Sequence, residues 1–418
     1  MEFVRGRHSS ASRINPRRDL SSRAGRFFVS NASAPGELAT PRNSADHRTI
    51  RIGFIPLVDA APLIVASALR YFEQEGLDVV LVRQAGWTAV RAELASGGID
   101  ASHAFAGMPI ISQLGRDAFS DPIVTLMYLG QGGSAITVSN AVAECGVYSA
   151  PTLHAYLRQQ RAGHRLVFAH TATCSSRYYL LREFLATAGI HPDRDVTLCA
   201  LTPNLFPEHL AKGYIDGCIG SDPWNTLCGE HGKIIAWGTD IQANHAEHLL
   251  AASQRRLQAQ PGTFAALIRA VVRACAWCSD PHNHSELAAL LAAPAYLNRD
   301  REIMMRCLEM GNGFAPAASD AKASGHAAKY RSFDPEWCEP NAEIVTWILQ
   351  QMTRWGQLSP AADIGELAAK CCETEFYRTA IAGVEVPDPH EPIAGKITTI
   401  RPAQLGGPPA AKYAAAGS

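Results

Sequence analysis

The chain has 418 residues, 47% of them apolar and 18% charged, with a formal net charge of −1. That length accommodates two lobes with separate cores, and the balanced charge argues against nucleic acid as a direct partner, which calls for a basic excess or stripe. No stretch approaches the ~20 consecutive apolar residues of a transmembrane segment.

Residues 1–48 are rich in Arg and Ser and poor in acids, and their only apolar run is Phe27-Phe28-Val29. Arg17-Arg18 is a twin arginine with no apolar core after it, whereas an export signal carries one of about 7–15 residues. This segment is expected to be a disordered extension. The chain is accordingly expected to be cytoplasmic, or periplasmic if the true N-terminus differs.

Regular structure begins near Thr49, where Ile50, Ile52 and Phe54 alternate with polar or small residues as in a strand. A helix is predicted over 61–74, with Pro62 in its first turn and Gly76 as its stop. Strands at 77–82, 99–103 and 123–129 alternate with short helices at 87–95 and 109–114. The β-α pattern repeats with strands at 166–169, 196–200, 215–219 and 233–237, and with a helix over 175–188. Such alternation predicts mainly parallel sheets flanked by helices. From about Leu249 the chain reads as helix after helix, at 264–278, 285–292, 301–310, 342–355 and 362–372. The expected organisation is lobe one at 49–138, lobe two at 139–248, a mostly helical return to lobe one at 249–386, and a disordered Pro/Gly/Ala tail at 387–418.

The eleven cysteines are scattered. Cys275 and Cys278 form a CxxC within a helical apolar pattern, without the second pair that a zinc site needs. They are expected to be buried helix residues, and many unpaired thiols suit a reducing compartment.

Four segments carry more information: Gly53–Leu63, Gly86-Trp87-Thr88, Gly133-Ser134-Ala135-Ile136-Thr137 and Ser221-Asp222-Pro223-Trp224-Asn225. In this order they resemble the cleft segments of the nitrate- and bicarbonate-binding family of ABC-transporter solute receptors, over about Thr49 to Pro387. The resemblance implies an α/β, two-lobe type II periplasmic-binding-protein fold, with the helical C-terminal part packed on lobe one. It also implies a small oxyanion ligand, nitrate or nitrite first, and no cofactor. Members without export signals resemble cytoplasmic nitrate sensors that hold an RNA-binding antiterminator. Exported members serve an ABC permease for nitrate, bicarbonate or sulfonates.

The resemblance places Trp87 in the cleft; a lobe-one core position is the alternative. Pro223 and Trp224 open a helix and either touch ligand or pack the hinge. His103 either reaches ligand or packs between lobes. Three positions depart from the family pattern. Ser134 stands where nitrate receptors carry glutamine, Ser176-Arg177 where they carry Thr-His, and His248 where they carry lysine. Arg177, at a predicted helix N-terminus, has a planar donor fork suited to oxyanions. His248 donates too, and is expected to gain charge on acidification. His245, Glu247 and His248 would bind metal only on a helix and with further ligands, so no metal is expected. Asp59 and Asp222 are expected to cap helices or hold the hinge, because a carboxylate repels an anion. There is no nucleophile elbow, phosphate-binding loop or HExxH. An enzyme on the same fold that makes pyrimidine precursors would need a cofactor-binding histidine and a cysteine cluster. The sequence presents neither, and no enzyme is expected.

Overall fold

The computed structural model describes residues 48–116, 121–159, 165–309, 331–385 and 403–405, all within one unit spanning Leu38–Ser418. The chain first lays down strands Ile50–Phe54 (β1), Val79–Arg83 (β2), Ala101–Phe105 (β3) and Ile123–Tyr128 (β4). It crosses through Gln131–Gly132 (β5) into Ala135–Ser139 (β6), Val167–His170 (β7), Thr197–Ala200 (β8), Gly217–Gly220 (β9) and Gly232–Trp237 (β10). It returns through His248–Ser253 (β11), followed by Arg331–Ser332 (β12) and Gln404–Leu405 (β13).

The first sheet has the order β13-β2-β1-β3-β11-β4, and the second β10-β6-β9-β7-β8. β1 pairs parallel with β2 and β3, while β11 runs antiparallel between β3 and β4. In the second sheet β7 is parallel to β8 and β9, whereas β6 is antiparallel to β9 and β10. The strands that immediately follow a lobe crossing, β6 and β11, therefore reverse the sheet direction. This is the expected two-lobe type II receptor fold, with sheets more mixed than the pattern suggested.

Several local expectations are corrected. The helix expected over 61–74 is broken into Ala61–Ala68 and Tyr71–Gln74, because Arg70 takes a left-handed conformation at φ 60. Ala135–Ser139 already belongs to the second sheet, and His248 opens a first-sheet strand that was not expected at all. Gln404–Leu405 adds to the edge of β2, with Arg51 Nη1 donating to Gln404 Oε1 at 3.0 Å, inside the tail expected to be disordered. The remainder of that tail and the 1–47 part of the N-terminal extension lie outside the described residues.

One face of the first sheet is covered by Ala61–Ala68 and by the helix Pro261–Ser279, whose Phe264, Leu267, Val271 and Trp277 pack with Ile52, Phe54 and Leu63. Pro261–Ser279 is long and apolar enough to cross a membrane by composition, but most of its apolar window is buried in this core. Cys275 and Cys278 lie within it, fully buried, and all eleven cysteines are free. The other face is covered by Trp87–Ser96, Gly107–Gln113 and Ala342–Arg354. Lobe two buries Leu180, Leu181 and Leu185 of the helix Ser176–Thr187 against Ile136, Val138 and Phe168.

Side-chain and backbone contacts hold the C-terminal helices and lobe one against lobe two. Gln351 Nε2 donates to Glu183 Oε2 at 3.1 Å, Arg354 pairs with the same carboxylate, and Gln357 Nε2 donates to the Thr173 carbonyl at 3.2 Å. Helix Ser176–Thr187 is thereby clamped to the C-terminal helices. The backbones also meet directly: a Cβ on Gly107 would lie 1.9 Å from the carbonyl oxygen of Cys174, so only glycine permits this approach.

Candidate functional site

Ser175 caps the helix Ser176–Thr187, its Oγ accepting from Tyr178 N at 3.3 Å. That cap places Ser176 and Arg177 in the first turn, where free N–H groups favour negative charge. The carboxylate they meet is Glu247. Ser176 Oγ donates to Glu247 Oε1 at 3.1 Å, and Arg177 Nε lies 2.9 Å from Glu247 Oε2. Both side chains of this ion pair are almost fully buried, at 3% and 2% exposure. Arg177 Nε also donates to Ser134 Oγ at 3.3 Å, and Nη2 reaches His248 Nε2 at 2.6 Å. A guanidinium only donates. His248 Nε2 therefore accepts, and its proton sits on Nδ1.

Across from Arg177 is a wall of rings from lobe one. Trp87 stacks on His248, with centroids 5.6 Å apart and planes at 26°, and meets His103 and Phe105 edge-on at 5.4 and 5.5 Å. His103 and His248 are 4.5 Å apart. Trp87 is half-buried, and both histidines are buried. Neither ring nitrogen of His103, nor Nδ1 of His248, makes a well-aligned hydrogen bond.

A second guanidinium enters from β12. Arg331 Nε is 3.3 Å from Asp59 Oδ1, Nη1 is 3.3 Å from Asp222 Oδ2, and Nη2 donates to the Gly133 carbonyl at 3.4 Å. Asp222 Oδ1 accepts from the N–H and hydroxyl of Thr226, at 3.1 and 2.9 Å, and so caps the helix Trp224–Cys228. Its carbonyl accepts from Val58 N at 3.1 Å, which ties lobe two to lobe one. Asp59 also stands 3.5 Å from His248 Nε2. A capping role for Asp222 accords with the sequence expectation, whereas Asp59 pairs with Arg331 and caps no helix here.

Burial shapes the titration of the cluster. It pushes the His103 imidazole down to about 4, with Asp59 opposing and Arg177 adding to the shift. It likewise holds His248 well below the ordinary range, helped by His103, Arg177 and Arg331, and lowers His245 against the pull of Glu247. The expectation that His248 gains charge on acidification is thus corrected: desolvation, with His103 and two neighbouring cations, outweighs the opposing hydrogen bond to the Ala104 backbone. The His248 ring resonances should not titrate between pH 8 and pH 6 in an NMR experiment on ring-labelled protein. A midpoint inside that window would contradict this environment.

Of the residues singled out in the sequence, Trp87, His103, Ser134, Ser176, Arg177 and His248 converge. Trp224 is not among the residues these contacts join: its ring lies under Arg299, with the guanidinium carbon 5.1 Å from the ring centre. Pro223 is buried at the head of its helix, and it is the following Asn225 that turns inward, donating to the Gly220 carbonyl at 2.9 Å. The sequence reading left out Arg331, reached Asp59, His245 and Glu247 without their pairings, and overlooked Gln84. Gln84 is buried just after β2, and neither amide atom makes a well-aligned bond. The 245–248 segment is not helical, and no cluster of metal-ligand type occurs among the described residues.

The NMT1-like family matches residues 43–292, more than half of the chain. The chain is 30% identical over 366 residues to the bicarbonate transport ATP-binding protein CmpC of Synechocystis, covering 85% of this chain but 53% of that protein. It therefore spans about half the length of that relative. It is 28% identical to the nitrate/nitrite binding protein NrtA of Synechococcus elongatus, covering 85% and 84% of the two chains. The crystal structure of the periplasmic nitrate-binding protein NrtA from Synechocystis superimposes with a TM-score of 0.73 at 23% identity, covering 84% of this chain and 94% of that one. That likeness places the fold among the periplasmic binding proteins. The chain belongs to the NMT1-like family, which it shares with the nitrate- and bicarbonate-binding receptors of ABC transporters.

Proposed function

We propose that the cleft binds a small oxyanion, nitrate, nitrite or bicarbonate, and that the chain is the ligand-binding part of an ABC-type importer. The observation that carries this reading is the convergence of Arg177 and Ser176, at a helix N-terminus of lobe two, on the ring wall of Trp87, His103 and His248 in lobe one. The guanidinium and hydroxyl grip oxygen atoms, the indole covers a planar face, and the imidazoles offer N–H donors. No pair of these groups forms a nucleophile and base, which supports binding rather than catalysis. The full sequence has no Gly-x-x-x-x-Gly-Lys-Ser/Thr loop. The half it shares with the ATP-binding relative is therefore read as a receptor half, and a permease and an ATPase are the expected partners.

Trp87→Ala is the direct test. Because the indole is only half-buried, truncation should leave the melting temperature nearly unchanged. It should weaken nitrate or bicarbonate binding about 2- to 10-fold, the worth of an aromatic contact. Fluorescence of the parent protein should respond to the same anions. A large fall in melting temperature with unaltered affinity would return Trp87 to the core.

The finer reading, a cytoplasmic nitrate or nitrite sensor that holds an RNA-binding antiterminator, has less support, because the relatives named above are transport proteins. Fractionation and affinity purification from the native host separate the two. Co-purification with a permease and ATPase supports the importer, and an RNA-binding partner in the cytosol supports the sensor.

A further inference from the structure

We propose that Glu247 is a resident counter-ion that occupies the anion seat of the cleft, so that an oxyanion binds by displacing its carboxylate from Arg177. This rests on the reading of the cleft as an oxyanion site and names what controls it. The carboxylate already makes the contacts an oxyanion would seek. One oxygen takes the Ser176 hydroxyl at 3.1 Å, and the other lies 2.9 Å from Arg177 Nε, at the N-terminus of a helix of 12 residues.

The placement also links occupancy to closure. Glu247 lies on the return crossing between lobes, and its own carbonyl accepts from Ala106 N of lobe one at 3.0 Å. His248 next to it opens β11 in the first sheet. The Glu247 side chain reaches the other way, into lobe two. With Glu247 on Arg177, the lobes are bridged by the protein's own charge, with no anion taking part.

Charge balance points the same way. Three carboxylates, Asp59, Asp222 and Glu247, face two guanidiniums, Arg177 and Arg331. The histidines that face them, His103, His245 and His248, are held neutral by burial. A bare monoanion added to this set meets a net negative site. Exchange for Glu247 leaves the charge around Arg177 unchanged and needs only that the side chain swing away from helix Ser176–Thr187. Glu247 then sets the anion concentration at which the cleft switches from internal to external ligand.

The test is calorimetric titration of nitrate and of bicarbonate into the parent protein and Glu247→Gln, which keeps the shape and the acceptor for Ser176 while removing the charge. Glu247→Gln should bind at least one of the two anions about 10- to 100-fold more tightly, the range of a charge-assisted bond no longer contested. A crystal structure of the parent with that anion gives a second readout that does not depend on the variant folding. Arg177 should then contact the anion, with Glu247 withdrawn. If the parent binds anion and Glu247→Gln binds it equally or more weakly, Glu247 is a positioning residue for Arg177 and the inference fails alone. The same holds if Glu247 stays on Arg177 in the anion complex. If neither protein binds either anion, the oxyanion reading of the cleft fails and the inference falls with it.

Discussion

Arg177→Ala should lower the unfolding free energy by about 3–5 kcal/mol, the usual consequence of removing one partner from a buried ion pair. Both members are nearly inaccessible, so water cannot replace the guanidinium at Glu247. The variant leaves that carboxylate with the Ser176 hydroxyl and, 3.6 Å away, the His245 ring, whose charging burial disfavours, and His248 Nε2 loses the donor 2.6 Å away. The sequence suggests a narrower role, a contact to ligand whose loss weakens binding only. The structure adds a structural role, because Arg177 closes the gap between lobes even without ligand. Urea unfolding of parent and variant at pH 7, with the slopes compared, measures the difference. A second substitution separates the causes. Arg177→Ala combined with Glu247→Gln should recover part of the lost stability, since the buried charge is gone. Parent-like stability of Arg177→Ala would mean that the pair is not buried in solution and that the lobes stand open.

The legible parts of this fold are those whose information is local. β1 alternates Ile50, Ile52 and Phe54 against smaller residues, and the Ser176–Thr187 helix announces itself with Ser175 as its cap. β11 was invisible for a physical reason. Its six residues, His248 to Ser253, are all buried, and the central Leu249–Ala252 run is apolar on both faces, so no alternation marks it. The break at Arg70 depends on one backbone conformation that arginine seldom adopts. Trp87, Ser134 and Arg177, singled out from the resemblance, come together in the structure, but the sequence said nothing about what each would touch. Trp224 shows the limit: a conspicuous Pro-Trp pair sets a helix start, and the indole packs under Arg299. Arg331 had no local signal at all. It is 109 residues from Asp222 in sequence, and only the β5–β12 ribbon brings it to the cleft. The sequence offers Glu247 only as a metal-ligand candidate beside His245 and His248. Its pairing with Arg177 across the crossing depends on the tertiary fold.

Stability should fall as the pH is lowered from about 6.5 to about 4, and His103 should account for about 3 kcal/mol of the loss. In the unfolded chain the imidazole takes its proton near 6.5. In the folded protein burial between Trp87, His248 and the strand β3 delays protonation to about 4. Between those values the unfolded state binds more protons, so stability rises with pH there; the contribution is complete above about 6.5 and is lost as pH falls through about 4. A separation of about 2.5 pH units at ~1.36 kcal/mol each gives the magnitude. His170, also held down to about 4 by burial in lobe two, and His245 and His248, lowered by burial in the cleft, add losses in the same direction. Urea midpoints measured at intervals from pH 7 to pH 4.5 give the curve. His103→Gln, which stays neutral throughout, should flatten it by the His103 share and leave the shares of His170, His245 and His248. A parent protein equally stable at pH 6.5 and pH 4.5 would show that the ring wall is open to water. An undiminished slope in His103→Gln would place the acid sensitivity elsewhere in the chain.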